Sequence, residues 1–184
     1  MEKPFVRRLS PNHDNRGVSM RLFDVTDLIQ LNSEETYVLS VTNTESGTVR
    51  GMHMQRNEVA EWKLVTVTEG SIFDVVIDLR PDSRSYGSAY TCSLSASEPA
   101  ILSVPRGFAH GYQTLTANTK LLYALDGKYS AESTSVFSPL SDQLKLIWPL
   151  PVSCISDSDR SGTSLPYSKI NFMDIPELAV DGSA

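Results

Sequence analysis

The sequence predicts an all-β protein, a β-barrel of jelly-roll type with short peripheral helices. Short segments rich in β-branched residues recur along the chain with turn residues between them, and helical periodicity is weak. With 184 residues, 40% of them hydrophobic, there is room for one domain, 1–184, with a sizeable core.

The elements follow in order. A helix is expected at 24–31, where Val25, Leu28 and Ile29 share one side. Strands are expected at 36–42 and 48–54, and at the β-branched run 63–68. Glu69, Gly70 and Ser71 then read as a hairpin turn into 72–79, where Phe73, Val75, Ile77 and Leu79 alternate with Ile72, Asp74, Val76 and Asp78. Further strands are expected at 88–94, 100–104 and 121–125, separated by Gly, Pro, Asp and Ser. A second short helix is placed within the last thirty residues, the core is set at about 14–160 with a C-terminal extension after it, and the final four residues are expected to fray.

The formal net charge of −6 argues against binding a nucleic-acid backbone as the main task. An acidic surface can still hold a local pocket of Arg and Lys for an anionic small molecule. The first residues lack the apolar core of a secretory signal, and no stretch is apolar for long enough to cross a bilayer. Cys92 and Cys154 belong to no CxxC pair and read as buried free thiols. These features point to the cytoplasm.

Two of the three histidines sit in unusual settings. His53 follows Gly51 and Met52, and His110 closes Pro105-Arg106-Gly107-Phe108-Ala109-His110. A histidine on a strand is usually a structural residue, but here glycines let the backbone approach a ligand closely. The two segments resemble the paired motifs of the cupin superfamily. Metal-binding cupins place a second histidine two positions after the first, where this chain has Gln55. Lys63 on the next strand would repel a cation in the same cavity, so no metal is expected.

The resemblance narrows with further segments. Asp14 to Gly17, Thr48 to Gln55, Glu61 to Val65, Asp74 to Arg80, Pro105 to Gly111, Tyr123 to Tyr129, Ile147 to Pro149 and Ile155 to Asp159 are together similar to the dTDP-4-dehydrorhamnose 3,5-epimerase family. This resemblance implies a cofactor-independent isomerase acting on a nucleotide-linked 4-keto-6-deoxyhexose in deoxysugar or O-antigen biosynthesis. His53 matches the family's base, Tyr123 its acid and Asp159 the partner of the histidine. Lys63 and His110 match pocket residues, Arg16 and Arg50 match nucleotide-sugar contacts, and Tyr129 matches the aromatic that stacks on the base. A homodimer with paired edge strands is also implied.

These residue types suit the chemistry. A 4-ketone acidifies the hydrogens on carbons 3 and 5, and histidine is a base near neutrality. A carboxylate on the far imidazole nitrogen fixes the tautomer. Lys63 can face the enolate oxygen, and a phenol can return a proton. One geometrical conflict stands: in a regular strand Arg50 and His53 point to opposite faces. Either Gly51 makes a bulge or Arg50 serves elsewhere, such as across a dimer contact.

The chain departs from the family at positions that hold the nucleotide. Ser19 and Arg21 replace a phenylalanine and a carboxylate, Thr134 stands near another missing carboxylate, and Ser138-Pro139-Leu140 replaces an Asn-Asp-Pro stretch. Arg21, a donor in place of an acceptor, would favour CDP over dTDP if it reached the base. The competing readings are a nucleotide-sugar 3,4-ketoisomerase and a catalytically silent sugar-nucleotide-binding or storage cupin.

Overall fold

A computed structural model describes residues 2–24, 27, 31, 36–165 and 170–178. In chain order the strands are β1 (Phe5–Arg8), β2 (Asn12–Asp14), β3 (Gly17–Ser19), β4 (Tyr37–Asn43), β5 (Val49–Gln55), β6 (Lys63–Glu69) and β7 (Ser71–Asp78). They continue with β8 (Ser88–Ser95), β9 (Ala100–Val104), β10 (Phe108–Thr114), β11 (Thr119–Leu125), β12 (Thr134–Val136), β13 (Asn171–Asp174) and β14 (Glu177–Leu178). A short helix, α1 (Asp157–Arg160), precedes β13. One six-stranded sheet runs β14-β1-β9-β6-β11-β4 and the other β12-β5-β10-β7-β8-β13, while β2 and β3 pair with each other.

The hydrophobic pattern explains this layering. Between the sheets, Val65, Val67, Leu121 and Leu125 of the first meet Ile72, Val76, Tyr90 and Phe108 of the second. The outer faces are covered as well. Met52, Val75, Ile77 and Ala109 pack under Leu144, Trp148 and Leu165, and Leu64, Ile101 and Ala124 pack with Leu9, Leu31 and Trp62. Strands buried on both faces need apolar residues at odd and even positions alike, which is why the run at 72–77 is apolar at almost every position. Each fully buried Val, Leu or Ile contributes about 1.5–3 kcal/mol relative to exposure.

The seven strands expected from the sequence are all present, within two residues at each end. The hairpin at Gly70 is not. β6 pairs with β9 and β11, whereas β7 pairs with β8 and β10, so the chain changes sheets there. Gly70 makes that corner at φ +77°, where a Cβ would lie 2.5 Å from the hydroxyls of Thr116 and Thr119. β10, which carries His110, was not foreseen: all seven of its residues are buried, so it shows no alternation. The C-terminal residues are more than an extension, since β13 pairs parallel with β8 and β14 parallel with β1.

The second helix expected near the end corresponds to α1. The helix expected at 24–31 lies mostly outside the described residues, as do the final four residues. Of its three described positions, Leu31 is buried, Asp27 pairs with Arg7, and Asp24 N donates to Asp27 Oδ2 at 3.0 Å. The two cysteines are free, but the expectation that both are buried fails: Cys92 is half-buried and Cys154 exposed. Cys154 sits on a covering segment whose carbonyl accepts from Val49 N, which leaves its side chain outside. No helix among the described residues is long and apolar enough to cross a membrane.

Candidate active site

The site begins with a defect in a strand pair. His53 lies opposite His110 and Arg50 opposite Tyr112, so two β5 residues, Gly51 and Met52, face the single residue Gly111. This is a β-bulge. Gly51 has φ +114°, and a Cβ on it would fall 2.5 Å from Gly111 Cα. A Cβ on Gly111 would in turn lie 2.7 Å from Arg50 O. Two glycines therefore permit the close approach, and the extra residue turns Arg50 and His53 toward the same cavity, one of about 440 Å³. That resolves the conflict over their strand faces.

Asp159 locks this arrangement from α1. Its Oδ1 lies 2.6 Å from His53 Nε2, and its Oδ2 accepts from Gly51 N at 3.1 Å. Its own backbone N–H donates to Ser156 Oγ at 3.0 Å, a helix N-cap. Burial pushes the Asp159 carboxyl up, but the His53 hydrogen bond and charge, the Gly51 N–H and Ser156 outweigh it. The net effect holds this carboxyl below the ordinary carboxylate range, so it is an anion. An anion on Nε2 makes that nitrogen the proton carrier and presents Nδ1 as the basic one.

The opposite wall belongs to the other sheet. Tyr123, on β11, lines the cavity and is 8% exposed. Burial, reinforced by Tyr112 and Asp74 and opposed by Arg50, pushes its hydroxyl well above the ordinary value. It is therefore a neutral phenol with a proton to give. The His110 ring meets it edge-on, with centroids 6.0 Å apart, and His110 Nε2 lies 2.8 Å from the fully buried Asp74 Oδ2. Lys63 and Arg50 bring positive charge to the same cavity. Arg50 Nε donates to Asn43 Oδ1 at 2.8 Å, and Asn43 Nδ2 donates to the Tyr112 hydroxyl at 3.2 Å. Burial, against the Asn43 hydrogen bond and Arg50, pushes Tyr112 up to about 12.

A histidine paired with a carboxylate and a neutral phenol therefore line one cavity from different sheets, and comparison with known proteins says which family has this sequence and fold. A model of the dTDP-4-dehydrorhamnose 3,5-epimerase family matches residues 2–166. The chain belongs to that family. A dTDP-4-dehydrorhamnose 3,5-epimerase from Sinorhizobium fredii is 37% identical over 71% of this chain and 67% of its own length. One from Escherichia coli K12 is 35% identical over 59% of this chain and 58% of its own. A crystal structure of dTDP-4-dehydrorhamnose 3,5-epimerase from Bacillus anthracis, with TDP and PPi bound, covers 86% of this chain and 91% of its own, with TM-score 0.77 and 34% identity.

Most of the residues singled out for this epimerase-family chain converge. His53, Lys63, His110, Tyr123, Asp159, Arg50 and Tyr129 all line the cavity, as does Thr134. Tyr129 is 65% exposed, at the mouth. Arg16 and Arg21 are not brought to it. Arg16 sits at the tip of the exposed β2–β3 hairpin, paired with Asp14 at 2.6 Å and 85% exposed, because that hairpin joins neither large sheet. Arg21 is an exposed residue just beyond the same hairpin. Ser138-Pro139-Leu140 also lies outside the cavity. There Pro139 O accepts from Trp148 Nε1 at 3.1 Å, which makes the stretch part of the outer cover.

Sequence reasoning missed Asp74, Asn43, Tyr37 and Glu61, of which Tyr37 and Glu61 line the cavity. Asp74 had a legible signal: it shares the inward face of β7 with Ile72 and Val76, and a carboxylate on an apolar face needs a partner. Asn43 and Tyr37 carried none, since only the strand pairing reveals which face they occupy.

Proposed function

We propose that this chain epimerises a dTDP-linked 4-keto-6-deoxyhexose at carbon 3, carbon 5 or both. The observation that carries the reading is the placing of His53 and Tyr123 on opposite walls of one cavity, from opposite sheets. His53 Nδ1 removes the proton alpha to the ketone, and the electron pair moves to the ketone oxygen as an enolate. Asp159 stabilises the imidazolium, and Lys63 faces the developing negative charge. Tyr123 then delivers a proton to the same carbon from the other side, which inverts it. Only protons move.

Arg50 supplies charge for the diphosphate and Tyr129 a surface for the base, a contact worth about 1–3 kcal/mol in other stacked complexes. Arg21 does not line the cavity of its own subunit, and the family and the relatives named above are those of dTDP-4-dehydrorhamnose 3,5-epimerase, so dTDP is the nucleotide proposed. The working form is a homodimer, in which the exposed β2–β3 hairpin can carry Arg16 toward the other subunit's substrate. Two free cysteines suit the cytoplasm.

Proton NMR of the products formed from dTDP-4-keto-6-deoxyglucose in deuterated water tests this. An inverted carbon bearing deuterium, with the ketone still at carbon 4, is the expected outcome. A ketone moved to carbon 3 would mean a ketoisomerase, and unchanged substrate a silent binding protein.

A further inference from the structure

Glu61 and Lys63 flank Trp62, and both acidic and basic side chains turn toward the cavity while the indole packs on the outer face. The segment is pinned from both sides. Trp62 N donates to Asp126 Oδ1 at 2.6 Å, Trp62 Nε1 donates to Ser103 Oγ at 2.7 Å, and Arg106 Nε donates to Ala60 O at 3.0 Å. Glu61 Oε1 lies 3.1 Å from Lys63 Nζ, and the two side chains are only 11% and 8% exposed. This is not the solvated surface pair that neighbouring opposite charges usually form. The charge of Glu61 also reaches across the cavity wall: after burial, it is the next cause pushing the Tyr37 hydroxyl up.

An ammonium group has three N–H donors on a flexible four-carbon stem. Here one is directed to the backbone carbonyl of His53, 3.4 Å away, while the Glu61 carboxylate holds the charged group as an ion pair at 3.1 Å. The ammonium group is thereby held beside β5, the strand that carries His53. We propose that Glu61 is a positioning residue: its buried ion pair holds Lys63 so that an N–H of the ammonium group points at the substrate ketone oxygen as the enolate forms. Glu61 also offsets the lysine charge, so the diphosphate is drawn to Arg50 rather than to Lys63. The inference rests on the epimerase reading above and adds a residue that acts through Lys63 without touching the reacting carbon.

The test is steady-state epimerisation together with deuterium wash-in by wild type, Glu61→Ala, Glu61→Gln, Lys63→Ala and the double variant Glu61→Ala/Lys63→Ala. Glu61→Ala should lower kcat about 10- to 100-fold, less than the full loss of an oxyanion donor, with KM within about threefold of wild type. Glu61→Gln keeps an acceptor oxygen in place and should recover part of that loss. In the Lys63→Ala background, removing Glu61 should cost nothing further, since its effect passes through the lysine. A kcat for Glu61→Ala equal to wild type, a loss confined to KM, or a full extra loss in the double variant would each overturn the proposal. Absence of exchange in the wild-type enzyme would instead overturn the epimerase reading on which it stands.

Discussion

Asp159 uses its two oxygens for different tasks, one on the imidazole of His53 and one on the Gly51 N–H at the bulge. Replacing it with asparagine keeps the shape but offers an amide donor where Nε2 needs an acceptor, which favours the wrong imidazole tautomer. Asp159→Asn is expected to lower kcat about 10²- to 10⁴-fold, by analogy with other carboxylate–histidine pairs. The same residue ties stability to pH. Its carboxyl is held below the ordinary range when folded, so its contribution is present above the unfolded value and lost as pH falls through the folded one. The gap in Tm between wild type and Asp159→Asn should therefore be widest near neutrality and close on acidification. A constant gap would mean that Asp159 does not fold as the anion. His53, Tyr123 and Lys63 were readable from their motifs. Asp74 was legible as a carboxylate on an apolar strand face, but its partner His110 and the burial of the Glu61–Lys63 pair are set by the folded structure.

At the scale of the elements, the pairing of β5 with β10 carries the site. The close approach of Gly51 and Gly111 leaves no space for a methyl group: a Cβ on Gly111 meets Met52 Sδ at 2.6 Å and Arg50 O at 2.7 Å. Gly111→Ala is expected to destabilise the protein by about 1–3 kcal/mol, the usual range for overpacking. It should lower kcat as well, because pushing β5 away moves His53. Thermal unfolding and kinetics on the same sample check both, and an unchanged Tm would show that the bulge relaxes without cost. The strands legible in the sequence had β-branched runs bounded by turns. β10 was illegible because burial on both faces removes alternation, and the Gly70 corner was misread because local pattern cannot distinguish a turn within a sheet from one between sheets.

At the scale of the whole molecule, the edge strand β4 is the most apolar exposed one among the described residues. β4 ends its sheet, and Tyr37, Val38 and Leu39 on it are 37%, 63% and 46% exposed. An apolar edge of this kind invites another strand, and a symmetric pair of such edges gives a dimer. Light scattering at micromolar concentration should report a dimer, and Val38→Lys should shift it toward monomer. A monomeric wild type would remove the dimer and with it a place for Arg16.

The central claim is that His53 is the base and Tyr123 the acid on opposite walls. The most direct measurement is deuterium exchange into dTDP-4-keto-6-deoxyglucose, followed by proton NMR, for wild type, His53→Asn and Tyr123→Phe. Wild type should exchange and invert, and His53→Asn should do neither while still binding dTDP. Tyr123→Phe should wash deuterium in from the base side yet release little inverted sugar. Full exchange and inversion by His53→Asn would contradict the account.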